Sequence, residues 1–228
     1  MYNTCFMTII EKCRGTKVYD ILTEIETIYA DIDRWQDSWK EKTPAPCPDG
    51  CGHCCENFEP DVYEAEALYL AAWLIEHQQA RAHSLSLWTE HAIRTTGCFL
   101  FDPHNSYHCT VYGGRCLICR LFAYSGVRGK DARLKWKPCK FIPINESSVS
   151  WQHREYDEEE LRQYFKALPP DMASASVRLL ALHPEDTVPR PLREALPAAI
   201  KKIKLILYFL SPPTSPNPNM PSPSPLSA

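Results

Sequence analysis

No apolar run in the 228-residue chain approaches the roughly 20 residues needed to cross a bilayer, so no transmembrane segment is expected. The opening stretch MYNTCFMTIIEKCRG lacks a basic leader, an apolar run and a small-residue cleavage site in succession, so the expected compartment is the reducing cytoplasm. Positive charge is not in excess: 25 Lys and Arg stand against 28 Asp and Glu, a formal net charge of -3. That balance argues against a chain built mainly to coat nucleic acid. Also missing are an HExxH pattern, a phosphate-cradling glycine loop and a dinucleotide fingerprint. Any chemistry has to come from other groups.

Cysteine is what the chain holds in quantity, 11 in all, although 44% hydrophobic residues over this length already suffice for a core without covalent staples. The stretch CPDGCGHCC over residues 47–55 sets Cys47, Cys51, Cys54 and Cys55 close together, with Pro48, Gly50 and Gly52 allowing tight turns between them. Convergent thiolates bind soft metals. The competing readings are a disulfide knot or a chance cluster of small side chains. A reducing compartment and an odd cysteine count favour metal.

A second group, Cys98, Cys109, Cys116 and Cys119, strengthens that reading, because chance would not supply both. Cys116 and Cys119 are three apart, a recurrent ligand spacing that a redox dithiol also uses. Residues 108–112, HCTVY, read as a strand, and CLICRLFAY from Cys116 as a short helix or a turn entering one. Cys139 is a further candidate ligand, whereas Cys5 and Cys13 read as ordinary thiols. His53 lies among the thiols and reads as exposed or hydrogen bonded to the site.

The remainder predicts a mainly α fold: a small metal-stabilised helical domain with irregular cysteine-bearing loops and little β. Apolar residues at three- and four-residue spacing, Val18, Ile21, Leu22, Ile25, Ile28, Tyr29, Ile32, Trp35 and Trp39, predict a helix over residues 18–39. A second helix is expected over residues 61–79, capped by Asp61 with Glu64 reciprocating, and a third over residues 85–94. Residues 157–168 carry Asp157 and Glu160 at capping-box spacing; residues 177–182 and 198–210 read as further helices, with Pro197 ahead of the last. The helical domain is expected to cover residues 1–210, with its cysteine core at 47–139. Residues 211–228, rich in Pro and Ser, read as a disordered tail. The basic run over residues 126–140 contains Trp136 and could grip phosphate or stack a base, but a solvated connection is the stronger reading, so nucleic acid is not the expected partner.

These segments together resemble the YkgJ-like cysteine cluster family, the zinc- or iron-chelating CxxCxxCC proteins. The resemblance runs over residues 47–124: the first run of four cysteines, a following helix with Glu66, CFL from Cys98, CTVY from Cys109 and RCLICR over residues 115–120. Three residues rather than two separate Cys47 from Cys51, and Cys116 stands where the family has proline. The resemblance implies metal chelation and names no reaction.

The expected ligands are Cys51, Cys54, Cys55, Cys98, Cys109 and Cys119, with Cys47 next, holding zinc or an iron-sulfur (4Fe-4S) cluster, both of which take four thiolates. One centre or two fit this set. Tyr112 and Arg120 are expected to support the site, Arg120 by hydrogen bonding or by offsetting sulfur charge, and Glu66 to orient Arg115 or Arg120. Three functional classes follow: a metal-binding chelator, an iron-sulfur redox or cluster-dependent enzyme, and a metal-stabilised module that engages a protein or nucleic acid.

Overall fold

A computed structural model describes residues 7–43, 47, 51–88, 96–142 and 152–211. Its longest element is the helix that the apolar spacing predicts. After the short α1 (Ile9–Lys12), α2 (Lys17–Lys42) starts at Thr16, whose side chain accepts the Tyr19 N–H at 3.2 Å. Its buried face continues from Ile32 through Gln36 to Trp39, while Trp35, expected on that face, points to solvent. The reason is register: positions 32, 36 and 39 follow the helical repeat, and Gln36 escapes an unsatisfied burial by donating to the Arg120 carbonyl.

The one-turn α3 (His53–Glu56) carries two of the cysteines. The helix expected over residues 61–79 begins later than predicted. Asp61–Val62 forms a two-residue strand, β1, antiparallel to β4 (Arg190–Pro191), and α4 runs over Glu64–His77. The start is set by Glu66, whose carboxylate accepts the Tyr63 N–H at 3.1 Å, rather than by Asp61 and Glu64. Helix α4 is buried nearly all round, through Ala65, Ala67, Leu68, Leu70, Ala71, Ala72 and Leu74, which makes it the central helix of the core. It packs against α2, α5 (Gln79–Ser86) and the last helix, α9 (Leu192–Leu210). The helix expected from residue 85 is displaced: α5 already ends at Ser86, and residues 89–94 lie outside the described residues.

The expected strand over residues 108–112 reduces to one bridge, Phe101 with Cys109, followed by a 3-10 turn, Tyr112–Gly114. Its chain is occupied instead by a tight loop in which Asp102 N–H donates to His108 O at 2.8 Å and Thr110 N–H to Leu100 O at 3.1 Å. Helix α6 (Leu117–Leu121) comes next, then a hairpin of β2 (Val127–Arg128) and β3 (Leu134–Lys135). Helix α7 (Glu158–Phe165) has the predicted capping box: Asp157 accepts the Glu160 N–H at 2.9 Å and Glu160 accepts the Asp157 N–H at 3.2 Å. Helix α8 (Met172–Leu182) is longer than expected because Asp171 caps it. Helix α9 starts six residues before the predicted 198, with Pro197 buried inside it. At the sixth helical position a proline forfeits one intrahelical bond and crowds the carbonyl four residues back, a cost of about 3 kcal/mol that the burial of this helix has to offset.

The fold is mainly α, with two small two-stranded sheets among the described residues. No helix among them is long and apolar enough to cross a membrane. The tail beyond Ser211 lies outside the described residues.

Candidate metal centre

Four separate stretches bring nine thiols to one cavity of about 270 Å³: Cys47, Cys51, Cys54, Cys55, Cys98, Cys109, Cys116, Cys119 and Cys139 all line it. The seven expected ligands are among them, and so are the two whose roles were open, Cys116 and Cys139. All ten described cysteines are free, and Cys13 alone of these lies away from the cavity, buried in the core. Cys5 lies outside the described residues.

Two glycines explain how residues more than 40 positions apart meet. Gly52 shows no unusual turn. A Cβ there would lie 2.3 Å from His108 Cβ and 2.8 Å from Phe101, so only glycine lets the first cysteine stretch press against the loop before Cys109. Gly97 has φ +71, and a Cβ on it would sit 2.1 Å from the Glu56 carbonyl oxygen. The contact continues as a hydrogen bond, Cys98 N–H to Cys55 O at 2.9 Å. The second cysteine group is thus fastened to α3.

Within α3 the adjacent cysteines are held by a helical turn, with Cys55 N–H bonded to Gly52 O at 2.8 Å. Side chains of neighbouring residues that would oppose each other in a strand here fall near one another. Their Sγ atoms are 3.8 Å apart. Bonds of about 2.3 Å to a tetrahedral zinc place sulfurs about 3.8 Å apart, so this pair already has the edge length of such a centre. Among the described residues, no three Cys, His, Asp or Glu side chains form a ready coordination set. The donor chemistry and the 54–55 pair fit a metal, and the remaining sulfurs would have to rotate onto it.

Cys119 reaches the cavity from α6, whose start is anchored by Glu66. One carboxylate oxygen takes the Leu117 N–H at 2.7 Å and the other the Tyr63 N–H at 3.1 Å. Glu66 therefore joins the starts of α4 and α6 and bonds neither of the arginines it was expected to orient. Burial pushes its pKa up to about 7, against the opposing effect of those two N–H donors.

Arg120 is buried and fully engaged away from the sulfurs: it donates to both Asp33 oxygens at 3.0 and 3.1 Å, to Arg115 O at 2.9 Å and to Gly113 O at 2.7 Å. It fixes the 3-10 turn to α2. Arg115 acts by its charge on Cys54, Cys109 and Cys119, and Arg81 acts on Cys109 as well. Both Arg115 and Arg120 line the cavity: Arg120 supports it by hydrogen bonding, as expected, and Arg115 supplies charge. Tyr112 lines the cavity as expected, and Tyr124, missed from sequence, accepts the Cys47 N–H at 2.8 Å. His53 also lines the cavity, stacked on Phe141 with centroids 4.0 Å apart and 3.2 Å from Glu56.

The thiols differ in how readily they ionise. The Cys55 thiol hydrogen bond lowers Cys54 to about 6 and holds the Cys55 proton in place, so Cys55 is raised. Burial pushes Cys47 and Cys98 up to about 11 and also raises Cys109, Cys116 and Cys119. The shared hydrogen bond favours a thiolate at the Cys54–Cys55 pair, the form of sulfur that binds metal. The raised thiols would have to give up protons to bind.

Residues 46–155 match the model of a family described as "CxxCxxCC: Putative zinc- or iron-chelating domain". That stretch is similar to the CxxCxxCC domain. All nine cavity cysteines fall inside the matched residues, including Cys139, which lies beyond the stretch where the sequence resemblance was read. All of α2, α7, α8 and α9 lies outside the matched residues, and α2 and α9 pack against α4 within them. The family description agrees with metal binding. No curated protein and no solved structure matches the chain.

Proposed function

We propose that the cavity holds a thiolate-bound metal centre, zinc or an iron-sulfur cluster, with ligands drawn from Cys51, Cys54, Cys55, Cys98, Cys109 and Cys119, and Cys47 next. The observation that carries this reading is the convergence of nine free thiols from distant stretches on one cavity. A bound zinc would supply cross-linking bonds; a bound cluster would supply one-electron transfer as well. The chain's own residues hold the 54–55 pair at ligand spacing, set Cys119 through Glu66, and place Arg115 to offset sulfur charge. Such a centre would brace the cysteine core of a single helical domain over residues 1–210. Free thiols in this number suit a reducing, cytoplasmic setting.

The nucleic-acid reading of the basic run loses its aromatic member, because Trp136 is buried and donates Nε1–H to Ala123 O at 3.0 Å. Arg128 pairs with Asp171 at 2.8 Å and Lys135 with Glu155 at 3.1 Å, which suits a structural role for that run.

The deciding experiment is anaerobic purification followed by iron, zinc and acid-labile sulfide analysis with a visible spectrum of the same sample. Iron and sulfide in comparable amounts with charge-transfer absorption establish the cluster. Zinc without sulfide establishes the chelating site, and neither metal rejects the proposal.

A further inference from the structure

Arg115 stands at the cavity wall with no carboxylate within ion-pair distance among the described residues. Its Nε–H donates to Tyr112 O at 3.0 Å, and its guanidinium sits over the Tyr112 ring, 3.6 Å from the centroid. Tyr112 in turn stacks on Tyr107, with centroids 4.6 Å apart and planes at 27°. A guanidinium stacked on a ring leaves its in-plane Nη–H fork open, and that fork matches a carboxylate. The stack also holds the fork still, so little freedom is lost on binding.

The rim around it is unusual for a surface. Tyr107, Tyr112, Phe122 and Phe141 are all exposed large aromatics, and all four line this same cavity. Exposed aromatic area gathered at one opening marks a binding surface rather than scattered surface residues. A second cation, Lys40, lines the cavity with its Nζ 4.8 Å from the Tyr124 ring centroid. The whole cavity, thiols included, is about 270 Å³, below the range of about 300–1,000 Å³ typical of sites for drug-sized ligands, so its mouth has room for a fragment-sized ligand.

We propose that the mouth of the thiol cavity binds a small planar organic acid, with Arg115 holding its carboxylate and the four aromatic side chains enclosing its flat body. The acid shares the cavity with the proposed metal centre and rests on that reading for what lies behind it. Its binding rests on Arg115 and the rim alone.

The test uses the full chain, purified anaerobically and titrated calorimetrically with benzoate and with benzamide, which keeps the ring and lacks the charge. Benzoate is expected to bind at least tenfold more tightly than benzamide. Arg115→Gln is expected to abolish that preference and Arg115→Lys to retain part of it. Because Arg115 also faces the thiols, Tyr107→Ala provides an independent variant at an exposed position, expected to weaken both probes severalfold. Equal binding of the two probes, no binding of either at millimolar concentration, or a preference that survives Arg115→Gln overturns the proposal. Metal analysis of the same samples separates the two readings. Metal-free protein that prefers benzoate rejects only the metal centre, and metal-replete protein without the preference rejects only the acid site.

Discussion

Glu66 puts two backbone donors on one buried carboxylate, and the balance between them and burial has a measurable sign. Its pKa is pushed up to about 7 in the folded chain against 4.5 for a free glutamate. Between those two values the folded state binds the proton more tightly than the unfolded state, so this group favours folding most at low pH. Its contribution falls as pH rises from about 4.5 to about 7, and is constant above. Denaturant titrations of wild type and Glu66→Gln across that range should show a wild-type stability falling relative to the variant; a difference independent of pH would contradict the assignment. At the same scale, Cys54→Ser and Cys119→Ser should each lower bound metal and melting temperature together. Cys13→Ala, in the core and away from the cavity, should cost stability while leaving metal content unchanged. Cys13 was correctly read as an ordinary thiol, because it stood far in sequence from both groups. Arg115 was not separable from Arg120 in the sequence. Both flank the second cysteine pair, and only the fold shows that Asp33 and two carbonyls occupy Arg120.

Elements behave differently, because their existence was far more legible than their ends. The three-and-four spacing on α2 and the capping box on α7 predict both helices closely, since each is a local pattern. Helix α4 was placed two or three residues early because Asp61 looks like a cap. A strand pairing with Arg190–Pro191, more than 100 positions away, claims that residue instead. The loop carrying Cys98 is held to α3 through a glycine with no room for a side chain. Gly97→Ala forces both an unfavourable φ and a 2.1 Å clash with the Glu56 carbonyl, so it should destabilise the chain by at least about 1–3 kcal/mol and reduce metal content. Thermal melts with metal analysis check this, and wild-type values in both would show that the contact is dispensable.

Across the whole molecule, a centre joining α3, the loop around Cys98 and Cys109, and α6 would couple folding to metal. Metal bound to the folded state alone stabilises by about 2.7 kcal/mol at a free concentration of 100 times Kd. Chelation under anaerobic conditions should therefore lower the melting temperature, and restoring the metal should raise it again. A melting temperature indifferent to chelation, with metal loss confirmed, would show that the surrounding helices suffice. They are well placed to contribute, because α2 and α9 pack the core helix α4 through buried Leu and Ile side chains worth about 1.5–3 kcal/mol each.

The mainly helical class, the central place of cysteine and the likeness of residues 46–155 to a chelating domain were determined by sequence alone. Periodic apolar spacing and clustered thiols are local signals, readable without knowing what lies across the fold. Tertiary structure alone decided that Cys116 and Cys139 share the cavity, that Glu66 clamps two helix starts and that Arg115 faces the thiols. Each of these depends on segments distant in sequence meeting at short range. Burial and close approach, such as those at Gly52 and Gly97, exist only once the chain has folded.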